Sequence, residues 1–116
     1  MSSFFKALKQ AERDWAPGEP APRRRAANRL EEHLVSLLAP HSADAERYRM
    51  LRNDVETFRK NDNLQVLAVT SALAGDGKTT TAINLAASLA QSTAARVLLA
   101  DVDLRRPSVA RQVGLD

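Results

Sequence analysis

The sequence predicts an α/β fold, a parallel sheet flanked by helices, entered through helical and disordered N-terminal segments. Three observations carry this. Residues 64–70 (LQVLAVT) are a continuous aliphatic and β-branched run, the pattern of a strand covered on both faces. Residues 78–90 (KTTTAINLAASLA) are rich in Ala and Leu and nearly apolar all round, as in a helix pressed between a sheet and another layer. A glycine-containing loop joins the two, and a second aliphatic run, residues 96–100 (RVLLA), follows the helix. Strand, loop, helix and strand in that order open a βαβ unit.

Composition bounds the reading. The chain has 116 residues, 17 Lys+Arg against 14 Asp+Glu and no Cys. That length lies within the range of one domain. Without Cys there is neither a disulfide framework nor a thiolate metal site, so a reducing, cytoplasmic interior is the natural compartment. The formal net charge of +3 is too mild to call for nucleic acid. No apolar run reaches the ~18–20 residues of a membrane span, and the N-terminus lacks a signal-peptide core. Charge is segregated: residues 1–63 hold 12 of the basic and 10 of the acidic residues, leaving the second half small and aliphatic.

The elements follow in order. Residues 1–15 read as a short helix, with Phe4, Phe5, Leu8 and Ala11 on one face and Ser2 or Ser3 as cap. Residues 16–28 contain Pro17, Pro20 and Pro22 and then Arg23, Arg24 and Arg25. Proline removes donors and like charges repel, so this is a linker. Residues 29–63 are a helical region. Its first piece, residues 29–38, is short, amphipathic and ended by Pro40, and His33 there is a surface or edge side chain. Its second, residues 42–60, carries the stripe Ala45, Tyr48, Leu51, Val55 and Phe58, with Ser42 placed as N-cap and residues 61–63 as the stop. Residues 64–116 form the α/β part, with Ser108 or Pro107 opening a last helical turn.

The chemistry lies in the loop. Gly75-Asp76-Gly77-Lys78-Thr79 stands between a buried strand and an apolar helix. Glycine lets the backbone curl closely enough for its N–H groups to face a phosphate chain, and the helix N-terminus adds free N–H groups and a positive dipole end. Lys78 is placed to reach the β- and γ-phosphates and Thr79 to bind Mg²⁺. The candidate nucleotide contacts are Gly75, Asp76, Gly77, Lys78, Thr79 and Thr80. Ala72 stands where the full phosphate-loop pattern has its first glycine, so placement rather than the bare string makes the motif; a simple glycine turn is the plainer reading.

Asp101-x-Asp103-x-Arg105 ends the next strand. In open α/β sheets ligands bind at the carboxyl ends of strands, on the same edge as the loop. Hard carboxylate oxygens there suit Mg²⁺, or the orientation of an attacking hydroxyl. With Lys78, Asp101 and Asp103 are the candidate catalytic residues, and Thr79, Asp101 and Asp103 the candidate metal ligands. Glu46-x-x-Arg49-x-x-Arg52 makes a charged ridge beside the apolar stripe, which on physical grounds alone is a solvated helix face.

With these residues the chain resembles the bacterial tyrosine kinases of capsule and exopolysaccharide synthesis, a branch of the deviant phosphate-loop ATPases. Its opening, Phe5-Lys6-Ala7-Leu8-Lys9-Gln10-Ala11-Glu12, is similar to the start of cytoplasmic members. ERYRMLR, holding Glu46, Arg49 and Arg52, matches the family's oligomerisation motif; residues 69–81 match its Walker A region and residues 98–107 its Walker A′ motif. The resemblance implies ATP and Mg²⁺ as cofactors and phosphoryl transfer to tyrosine hydroxyls. It further implies self-association through Glu46, Arg49 and Arg52, and stimulation by a membrane-bound chain-length regulator that is a separate protein. It implies a cytoplasmic location, peripheral to the membrane only through that partner.

Departures are visible too. The family's Walker B segment, later strands and tyrosine cluster are expected beyond residue 116, so the 116 residues are expected to be the first part of a larger domain, inactive alone. Tyr48, the only tyrosine, lies inside the charged helix, and Ala74 replaces a frequent proline. Two other readings stay open. A partition- or division-site-type ATPase would carry a lysine where Leu73 stands. A non-catalytic interaction protein would dock through its Glu46/Arg49/Arg52 helix onto kinase rings, or the chain would be a truncated fragment with no activity of its own.

Overall fold

The structure, a computed structural model, describes residues 30–115. The helix expected over residues 1–15 and the linker over 16–28 lie outside the described residues. The described elements are α1 (Val35–Leu38), α2 (Ala43–Asp62), α3 (Lys78–Ala90) and α4 (Val109–Gln112).

The longest helix, α2, starts and stops on recognisable chemistry. The Ser42 hydroxyl accepts the Ala45 N–H at 3.1 Å, satisfying one of the free donors of the first turn. Asp44 and Glu46 lie in that turn and Arg59 and Lys60 in the last, the signs that the helix dipole favours. The helix runs through Asn61 and Asp62 and ends at Asn63, whose φ of 55° is left-handed. Asparagine tolerates that conformation better than any other residue with a side chain except aspartate, which is why the stop falls there. The apolar stripe is only partly covered: Ala45 is buried, Tyr48 and Val55 are half-buried, and Phe58 is 58% exposed.

The first amphipathic piece is shorter than its pattern. Only Val35–Leu38 is helical, and a turn occupies residues 32 and 33. The local periodicity gives way to a tertiary demand: Leu34 is fully buried, and the turn before it leaves the His33 carbonyl free to accept from Asn84.

The core is built on α3, against which both α1 and α2 pack. Ile83 and Leu85 of α3 are buried together with Leu34 and Ala45. Asn84, also on α3, is 0% exposed. Its side-chain N–H groups donate to the carbonyls of His33 (2.8 Å) and Thr80 (3.0 Å), and its Oδ1 accepts the Ser36 N–H at 2.9 Å. One amide therefore fixes the chain before α1, and α1 itself, to the helix that follows the glycine loop.

The expected parallel sheet is not formed among the described residues. Residues 64–70 and 96–100 form no ladder, and their backbone groups make no backbone hydrogen bond there. A strand exists only through a neighbour about 4.8 Å away, and these two segments do not serve as each other's. Their apolar side chains stay open accordingly, Val66 at 83% and Leu98 at 91% exposure. The loop and the single helix between the two runs, α3, stand where the sequence expects them.

Candidate functional site: the glycine loop and the two aspartates

The loop before α3 is shaped by two glycines and braced by one aspartate. Gly75 and Gly77 both have φ of +87°, a region that costs an ordinary L-residue roughly 1–2 kcal/mol. A Cβ on either would meet nothing within 4 Å, so backbone conformation, not crowding, selects glycine. Asp76 turns its carboxylate back to accept the Leu73 N–H at 3.0 Å, and the Ser71 hydroxyl donates to the Leu73 carbonyl at 2.9 Å. Asp76 therefore braces the loop.

Gly77 caps α3 with no side chain over the free N–H groups of the first turn, and the helix proper begins with the Thr81 N–H bonded to the Gly77 carbonyl at 2.9 Å. Among the described residues, no hydrogen bond uses the backbone N–H groups of residues 75–80. These consecutive donors sit at the positive end of a 13-residue helix, an arrangement suited to an anion.

Around this cradle the structure gathers the charged residues named from sequence. The Lys78 ammonium lies 3.3 Å from Asp103 Oδ2. Asp103 Oδ1 accepts the Arg106 N–H at 3.0 Å. That N–H, with the neighbouring Lys78, holds the Asp103 carboxyl below the usual carboxylate range. Asp101 accepts the N–H groups of Val109 (3.1 Å) and Ser108 (2.9 Å) on Oδ2 and of Asp103 (3.0 Å) on Oδ1. The Val109 donor foremost, then those of Asp103 and Ser108, depress its pKa as well. Both groups are charged acceptors at neutral pH, and Asp101 is committed to its own loop by backbone donors on both oxygens.

The two threonines differ. The Thr79 hydroxyl accepts from the Ser108 hydroxyl at 3.1 Å, whereas Thr80 donates to the Gln112 side chain at 3.4 Å. The Thr80 hydroxyl is thus directed to α4, and only its backbone N–H belongs to the cradle. As to a metal, Thr79 and the aspartates are hard oxygen donors. No group of three or more His, Cys, Asp or Glu residues forms a protein-only cage among the described residues. That donor set fits Mg²⁺, which keeps waters and takes phosphate oxygens rather than filling its shell from protein.

The charged ridge of α2 is engaged within the molecule. Arg49 pairs with Glu46 and also donates to the Pro40 carbonyl at 2.6 Å. Arg52 reaches the Ser88 carbonyl at 3.1 Å, in the last turn of α3, at the opposite end of that helix from the glycine loop. A cation there complements the negative helix end. Neither Asn84 nor Gln112 stands out in the sequence pattern, and Ser108 does so only as a helix opener. An asparagine on the inward face of an otherwise apolar helix was the one available signal.

Comparison with known proteins adds sequence matches that include the glycine loop. Residues 67–114 match the CobQ/CobB/MinD/ParA nucleotide binding domain. The chain is 37% identical over 89 residues to the tyrosine-protein kinase YwqD of Bacillus subtilis, an alignment covering 77% of this chain and 37% of that protein. It is 36% identical over 75 residues to the succinoglycan biosynthesis transport protein ExoP of Rhizobium meliloti, covering 65% of this chain and 9% of that protein. The chain thus spans little more than a third of the length of the first relative and far less of the second. No solved structure matches it at a significant level. By sequence, then, these matches support a place for the chain in the bacterial tyrosine-kinase family, with the nucleotide-binding-domain match confined to residues 67–114.

Proposed function

We propose that the chain binds Mg·ATP in the cradle of residues 75–80 and is the nucleotide-binding part of a protein-tyrosine kinase acting in exopolysaccharide synthesis. The observation that carries this is the run of unpartnered backbone N–H groups at the head of α3, with Lys78 and two ionised aspartates beside it.

The residues divide the work as follows. The N–H groups of residues 75–80 take the phosphate oxygens, and the Lys78 ammonium moves from Asp103 to the β- and γ-phosphates. Thr79 would offer its hydroxyl to a bound Mg²⁺, and Asp101 and Asp103 would help to hold the ion or orient an incoming hydroxyl. Bound Mg²⁺ neutralises charge that develops on the phosphate oxygens. In the transfer, the bond from the γ-phosphorus to the bridging oxygen breaks, ADP leaves with that oxygen, and a bond to the tyrosine oxygen forms, the phenolic proton passing to solvent. Carboxylates with depressed pKa values are weak bases, so their part is orientation, which a loose transition state chiefly requires.

The name of the first relative supports a tyrosine acceptor, and that of the second supports polysaccharide export as the setting. The family resemblance supports a membrane-bound chain-length regulator as partner, a cytoplasmic location, and self-association through Glu46, Arg49 and Arg52. Among the described residues no helix is long and apolar enough to cross a membrane.

The acceptor is tested by incubating the protein with radiolabelled Mg·ATP, a membrane-bound activator and a tyrosine-containing acceptor. Label recovered as phosphotyrosine, and lost in K78M, is the expected result. Label released only as inorganic phosphate would place the chain with the hydrolysing partition-type ATPases instead.

A further inference from the structure

We infer that Ser108 is a positioning residue for the Thr79 hydroxyl, setting the oxygen that the metal of a bound nucleotide takes. This rests on the nucleotide-binding reading above and adds to it a residue from outside the glycine loop.

The contact is a single hydrogen bond, Ser108 Oγ to Thr79 Oγ1 at 3.1 Å, between half-buried side chains 29 residues apart in sequence. What makes it more than incidental is how Ser108 is itself held. Its N–H is fixed by Asp101 Oδ2 at 2.9 Å, and its carbonyl accepts the Gln112 N–H at 3.0 Å. The side chain of that same Gln112 accepts from Thr80 at 3.4 Å. The segment from Asp101 to Gln112 thus closes on the first turn of α3 through two adjacent threonines. Asp101 anchors the brace at one end.

A threonine in a helix divides between two χ1 rotamers, because its hydroxyl can also turn to the backbone of the preceding turn. Mg²⁺ demands near-ideal octahedral geometry and discriminates against a ligand oxygen displaced by tenths of an ångström. A partner that selects one rotamer in advance removes that cost. Serine suits the task because its hydroxyl both donates and accepts. At 3.1 Å the Ser108 hydroxyl can donate to Thr79. Once Thr79 gives a lone pair to the cation its own proton becomes the better donor, and the same pair persists with the direction reversed. Alanine can do neither.

The test is a fluorescence titration of the full chain and its S108A and S108T variants with a fluorescent ADP analogue, in Mg²⁺ and in EDTA. Thermal melting of each is followed by circular dichroism. S108A is expected to weaken binding in Mg²⁺ about five- to tenfold, the worth of one hydrogen bond to a functional oxygen. In EDTA it should stay within twofold of wild type, and S108T should restore the Mg²⁺-dependent part. An equal loss with and without metal, or no loss in either, overturns the assignment of Ser108 while leaving nucleotide binding in place. Absence of binding by the wild type under both conditions overturns the nucleotide reading and this inference with it.

Discussion

Asn84 meets three backbone groups from positions 33, 36 and 80 while fully shielded from water, so its amide holds together segments that the chain brings from far apart. Removing it leaves the Ser36 N–H and the His33 carbonyl without their partner, and an unsatisfied buried group costs roughly 1–3 kcal/mol. Asn84→Ala is expected to lower unfolding free energy by about 2–4 kcal/mol in a denaturant titration; a change under 1 kcal/mol would contradict the role given to this amide. Asp101 and Asp103 give a prediction in pH. Backbone donors lower the pKa of each below its unfolded value of about 3.9. A carboxylate so depressed stabilises the fold fully above its unfolded pKa, and that contribution is lost as pH falls through its lower folded value. Carboxyl-carbon NMR titration should therefore place both midpoints below about 3.9, and a midpoint at or above it would remove the backbone donors from the account. Of these residues the aspartates were legible in sequence as chemistry, since two acids at a strand end beside a glycine loop are unusual. Their hydrogen bonds were not, because Ser108 and Val109 return to Asp101 only after the bend at residues 104–106.

At the scale of elements, caps made the sequence readable. Ser42 and Asn63 bound α2, and the Gly77-Lys78 step starts α3, each through a local preference that needs no tertiary information. The first amphipathic piece is shorter than its periodicity predicts because burial of Leu34, not periodicity, decides where the chain turns. The charged ridge of α2 carries two demands at once. Arg49 and Arg52 tie α2 to the Pro40 carbonyl and to the end of α3, while the Glu46 side chain is 54% exposed. Replacing Glu46, Arg49 and Arg52 together with Ala is expected to shift the sedimentation-velocity distribution toward monomer and to lower the melting temperature. A lower melting temperature with an unchanged distribution would leave these residues as intramolecular clamps and end the self-association proposal.

For the whole molecule, the division is between what one crossover unit settles alone and what it does not. Among the described residues, the α1–α2–α3 packing is fixed by groups such as Asn84 and Gln91, which reach back to the carbonyls of His33 and Ser36. The β-patterned segments are different: residues 64–70 and 96–100 announce strands by composition, but pairing is a property of two segments, and neither composition nor period says which neighbour each will take. So the loop, the helix after it and the aspartates could be placed from sequence, while the sheet expected beneath them could not be confirmed by the same means. The claim on which the rest depends is that residues 75–80 form a phosphate cradle completed by Lys78. Isothermal titration of Mg·ATP into wild type and K78M tests it most directly. Wild type is expected to bind with one site per chain and K78M at least tenfold more weakly, with both variants equally folded; equal affinity in the two, or no binding by a folded wild type, would contradict it.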